Sequence, residues 1–91
     1  MNEMATTIPQ HYSDALPFEQ QLLFALSKLR QGSVNEIAIE LMELKGVSTE
    51  DGVGDLTVQT EKEVEKLCEE GILEVVKDRH HQRRYQFALA S

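Results

Sequence analysis

Tryptophan is absent from this sequence, cysteine occurs once, and aromatic residues make up only 5% of its 91 positions. With Cys68 alone no disulfide can form within the chain, so the fold must rest on an apolar core and hydrogen bonds. Cys68 sits on an apolar helical face, which suits a small core residue better than a reactive thiol. No apolar run approaches the ~20 residues a membrane helix needs, and residues 1–10 lack the basic start and apolar centre of a signal peptide. These absences lead us to expect a cytoplasmic chain with no membrane partner.

Recognisable catalytic chemistry is missing too. There is no glycine-rich phosphate loop, no nucleophile elbow and no cysteine-and-histidine set at zinc spacing. His80 and His81 are adjacent in a turn and lack the i, i+4 geometry of a helical zinc pair; as pH falls toward about 6.5 they would add positive charge instead. The DGVGD segment at 51–55 lacks the register of a calcium loop, which needs oxygen ligands at positions 1, 3 and 5 and a glutamate at 12. We therefore expect no metal, no cofactor and no enzymatic activity. Basic residues are also scarce, nine against sixteen acidic, for a formal charge of -7. That balance disfavours a generic polyanion binder, which neutralises phosphates with clustered Lys and Arg. The distribution is uneven: residues 1–76 hold 5 basic against 15 acidic side chains, whereas residues 77–91 hold 4 against 1.

What remains is an ordinary globular composition, 41% hydrophobic and 27% charged, in a chain long enough for one small domain. Residues 1–12 show no periodicity and read as a flexible tail, which leaves 13–91 as the domain. The first helix should open near Ser13 or Asp14, tolerate Pro17 in its first turn and end at Gly32. Phe18, Leu22, Ala25, Leu26 and Leu29 form its apolar stripe. Phe24 falls nearly opposite that stripe, with Leu23 on the flank. Two readings stay open for it: cover by Ile8 or Tyr12 of the tail, or a self-association surface that would make the chain a homodimer.

Ser33 and Glu36 make a capping box for a second helix, whose buried stripe is Val34, Ile37, Ala38, Leu41 and Leu44 and whose stop is Gly46. Glu36, Glu40 and Glu43 gather on its solvated side. Residues 46–56, with three glycines and three acids, read as a long acidic connector. A third helix starts at either Asp55 or Thr60, buries Val64, Leu67 and Cys68, and stops at Gly71. Beyond Gly71 the period becomes two: Ile72, Leu73, Val75 and Val76, a charged turn, then Tyr85, Phe87 and Leu89. The expected core includes Phe18, Leu22, Leu26, Ile37, Leu41, Val64, Leu67, Val75 and Phe87.

The pattern SVNEIAIELMEL, then EVEKLCEEGILEVV, a charged turn and RRYQFAL resembles the winged helix-turn-helix superfamily, in particular small bacterial repressor-like domains of the ArsR, MarR and PadR types. The resemblance covers residues 14–89 and implies an α+β fold of three helices followed by an antiparallel hairpin, the wing. It implies DNA binding and transcription regulation, with Thr57, Gln59, Lys62 and Lys66 of the third helix facing bases and Arg79, His80, Arg83 and Arg84 of the wing facing phosphates or the minor groove. Two features depart from that pattern: the long acidic link before the third helix, and the acids along that helix's exposed face. They keep open an alternative in which the acidic third helix docks a basic protein partner. The basic wing likewise has a plain reading, as a solvated hairpin whose charges discourage edge pairing.

Overall fold

Six consecutive residues of the first helix, Gln21 to Leu26, are buried, so that helix is enclosed on nearly every side. The computed structural model describes residues 8–47 and 53–88. Helix α1 spans Phe18–Leu29, four residues later than its expected start, because Ser13 closes a separate turn. There the Ser13 hydroxyl accepts the N–H of Ala15 at 3.1 Å, and its carbonyl accepts that of Leu16 at 3.1 Å. At the other end Arg30, not Gly32, terminates the helix. It takes a φ of 69° and donates its N–H to Leu26.

Strand β1 follows at once, Gln31–Gly32, too short to show any period in sequence. Gly32 lies against Tyr85 in the sheet, and a Cβ there would come within 3.3 Å of Leu29 Cδ1. Helix α2, Val34–Lys45, starts with the expected capping box: Ser33 Oγ accepts the Glu36 N–H at 3.2 Å, and Glu36 Oε1 accepts the Ser33 N–H at 3.0 Å. Gly46 ends it at φ 74°, a left-handed conformation that glycine reaches at low cost.

Helix α3 runs Val53–Glu69 and so begins before both expected starts. Gly54, Asp55 and Leu56 belong to its first turns and not to a connector; the part of the acidic link at 48–52 lies outside the described residues. Thr60 is thus seven residues into the helix and caps nothing: it is fully buried, its hydroxyl without a hydrogen-bond partner among the described residues. Strands β2, Leu73–Lys77, and β3, Arg83–Phe87, form a hairpin, and the antiparallel sheet has the order β1-β3-β2. The fold is α+β, three helices and a three-stranded antiparallel sheet.

The core joins all three helices to the sheet: Leu22, Leu23 and Leu26 from α1, Ile37 and Leu41 from α2, Val64 and Leu67 from α3, with Leu73 and Tyr85. Phe18 and Phe87 pack at its margin. Val75 is a correction. It is 51% exposed: it shares the helix-facing side of the sheet with Leu73 and Tyr85, but α3 and the hairpin stand apart there and leave an open cleft over it.

Of the two readings open for Phe24, the structure shows cover by Tyr12, and Leu23 and Phe24 form no exposed self-association surface. Leu23 is fully buried and Phe24 only 7% exposed. The Tyr12 ring covers Phe24 at a centroid distance of 6.1 Å, and Lys28 Nζ lies 5.5 Å from the Phe24 centroid. Tyr12 therefore belongs to the packed domain and not to a free tail. Its hydroxyl donates to Asp14 at 2.7 Å; burial, that hydrogen bond and the Asp14 charge push the phenol above its ordinary pKa. Gln21 fastens the same segment, donating to the carbonyls of Leu16 at 2.9 Å and Asp14 at 3.3 Å while accepting from Lys45 Nζ at 2.8 Å.

The contrast between Leu67 and Val75 gives a direct check. Leu67→Ala should lower stability by about 2–5 kcal/mol, since it empties a closed site. Val75→Ala should stay within about 0.5 kcal/mol at a solvated position. Urea unfolding followed by circular dichroism measures both.

Candidate functional site

The hairpin turn is built by Asp78. Its Oδ1 accepts the N–H of His80 at 2.8 Å and of Gln82 at 3.0 Å, and its carbonyl accepts that of His81 at 2.9 Å. The Asp78 N–H donates to the Gln82 carbonyl at 3.1 Å, closing a loop of three residues, Arg79 to His81. Such loops place their third residue in the left-handed region, and His81 does so at φ 65°. All three loop side chains are exposed, with Arg79 and His80 at the tip.

Below the tip, strand alternation separates the two adjacent arginines. Arg83 pairs with Lys77 on the face that carries Val75, Tyr85 and Phe87. Arg84 points the other way and is half-buried among protein partners. Its Nη1 lies 2.9 Å from Glu36 Oε1, its Nε donates to Gln31 Oε1 at 2.9 Å, and its Nη2 donates to the Gln31 carbonyl at 3.2 Å. The network continues across the sheet: Gln31 Nε2 donates to Gln86 Oε1 at 2.9 Å, and Gln86 Nε2 donates to Glu74 Oε2 at 2.5 Å. Arg84 thereby ties all three strands to the start of α2. Nothing in the sequence flagged this, since Gln31 and Glu36 lie some fifty residues away from it.

On α3 the four expected residues do not share one face. At about 100° per residue, Thr57 and Gln59 stand about 160° apart, while Gln59, Lys62 and Lys66 fall within about 60° of one another. Thr57 is half-buried, its hydroxyl without a partner among the described residues. Gln59 and Lys62 are exposed. Lys66 turns toward α1, with Nζ 4.0 Å from Glu19 Oε1 and 3.9 Å from Glu63 Oε2. Asp55, Glu61, Glu65 and Glu69 are also exposed on this helix, so its outer surface is net negative.

Between α3 and the hairpin lies an open cleft of about 420 Å³. Glu65 and Glu69 form one wall and Lys77 and Arg83 the other, over a floor of Cys68, Val75 and Tyr85. No ion pair among the described residues joins the walls. Burial pushes the Cys68 thiol above its ordinary pKa, and the Glu65 charge adds to the effect, so the thiolate is suppressed. Among the described residues no helix is long and apolar enough to cross a membrane, and no group of three His, Cys, Asp or Glu is placed to hold a metal ion. Comparisons of the chain with protein-family models, curated proteins and solved structures returned no match.

Two outcomes check the geometry. His81→Gly should stabilise the protein by about 1 kcal/mol, because glycine adopts the left-handed conformation without the Cβ penalty. A double-mutant cycle on Arg84 and Glu36 should give a coupling of about 0.5–1 kcal/mol, the range of a partly solvated pair.

Proposed function

We propose that the chain is a winged-helix nucleic-acid-binding module of the transcription-regulator kind, with the β2–β3 hairpin as its wing and no catalytic role. The element order α1-β1-α2-α3-β2-β3 and the sheet order β1-β3-β2 support that reading, since they give a three-helix unit with a projecting hairpin beside its third helix. The observation that carries it is the exposed basic hairpin: Lys77, Arg79 and Arg83 stand in solvent within one short segment of an otherwise acidic chain. His80 adds hydrogen-bonding capacity at the exposed tip. Gln59 and Lys62 are the α3 residues left to face bases. Arg84 holds the wing in place and Thr57 packs, so neither belongs to the contact set. The binding this supports is led by phosphate contacts, with weak sequence preference.

A second reading has its own observation. Val58 is 52% exposed on α3, with Asp55 and Glu61 three residues away on either side, and an exposed apolar residue on a net-negative helix suits a basic protein partner.

Fluorescence anisotropy with mixed-sequence duplex DNA separates the two. About three phosphate contacts give a slope near -3 for log affinity against log salt, at about 0.9 per phosphate. Arg79→Ala with Arg83→Ala should weaken binding to all sequences and flatten the slope, whereas Gln59→Ala should act only on a preferred sequence. Wing variants that bind like the parent, with Glu65→Lys and Glu69→Lys abolishing capture of a basic protein, would overturn the first reading in favour of the second.

A further inference from the structure

Strand β2 is the outer strand of the sheet, and no strand among the described residues pairs with its free side. The hairpin hydrogen bonds identify which groups point there. The Asp78 N–H donates to the Gln82 carbonyl, and the Ala88 N–H to the Ile72 carbonyl at 2.9 Å. Antiparallel ladders alternate, so Val76 with Arg84 and Glu74 with Gln86 are the hydrogen-bonded pairs between these two. Leu73, Val75 and Lys77 consequently direct their N–H and C=O groups away from β3.

From this edge we infer that a second copy of the chain pairs with it, β2 against β2, in a two-fold dimer centred on Val75. Edges of this kind are usually blocked by charge, and β2 carries Glu74 and Lys77. Antiparallel pairing about Val75 avoids that block. It sets Val75 against Val75, Glu74 against Val76 and Leu73 against Lys77, so no like charges stand opposite one another. Val75, half exposed in the monomer, would lie at the two-fold axis. Lys77 of each copy would come beside the Leu73 end of the other, into which α3 leads through Glu69 and Glu70. A two-fold contact needs a self-complementary surface, and the basic end and acid-flanked end of β2 supply one. The joined sheet would have six strands, with the hairpin tips at opposite ends and Arg79 and His80 uncovered. The inference does not depend on nucleic-acid binding.

Sedimentation equilibrium from about 10 µM to about 1 mM, paired with amide exchange by NMR at both limits, tests it. We expect dimer to accumulate with concentration while the amides of Val75 and Lys77 slow. Val75→Pro removes an outward donor that the hairpin ladder does not use, and it should weaken dimerisation at least about tenfold. Lys77→Glu, at an exposed position, should weaken it as well; a melting temperature close to the parent's establishes that each variant is folded. Three results would each overturn the proposal: a monomer throughout the range, a dimer whose Val75 and Lys77 amides exchange at the same rate at both limits, or folded variants that both associate like the parent.

Discussion

Strand β3 is the constraint on which the rest depends. It is the central strand and the only one paired to both others, so its two-residue alternation fixes what every neighbouring element meets. Tyr85 goes into the core and draws Leu73 and Phe87 with it. The residues on either side of Tyr85 must then face the opposite way, and Arg84 with Gln86 becomes the polar seam that fastens the sheet to β1 and α2. A register slip of one residue would put Arg84 in the core and Tyr85 in solvent, which is why this register is strongly specified.

The same alternation decides what the basic hairpin can offer. Of the nine basic side chains, Lys45 is held by Gln21 and stands 3.9 Å from Asp14, Lys66 lies near Glu19 and Glu63, and Arg84 is enclosed by Glu36 and Gln31. An acidic chain thus engages part of its scarce positive charge internally. The exposed positive surface that remains on the hairpin is narrow, and any phosphate contact falls to Lys77, Arg79 and Arg83. The cleft beneath them, with its opposed walls, is a consequence of β3 turning Arg83 toward α3.

Much of the helical fold was legible in the sequence because it depends on local signals: the SVNE capping box, Gly46 and Gly71 appear where expected, and Ile37, Ala38, Leu41, Val64 and Leu67 are buried as their spacing implies. The ends of α1 were misplaced for local reasons, the Ser13 turn and the positive φ of Arg30, whereas the other failures come from tertiary context overriding a local pattern. Thr60 with Glu63 looks like a capping box, yet the helix continues through it and buries Thr60. For Phe24 the helical projection left two readings open, and only the fold chooses between them: Tyr12 covers it from an upstream segment without periodicity. Val75 has the alternation of a core residue, but a strand has an inward face only where something covers it, and here a cleft lies over the outer part of the hairpin. Two adjacent arginines read as one basic patch until pairing with Gln31 and Glu36 separates them.

The central claim is that the two neighbouring arginines have different work, Arg84 structural and Arg83 exposed for contact. Arginine side-chain Nε–H resonances report it directly, recorded with and without duplex DNA at low salt. The account predicts a slowly exchanging Arg84 signal, held by Gln31, that does not move on adding DNA, while the Arg79 and Arg83 signals exchange fast and shift. An Arg84 signal that exchanges as fast as that of Arg79, or that moves with DNA while Arg83 stays still, would contradict it.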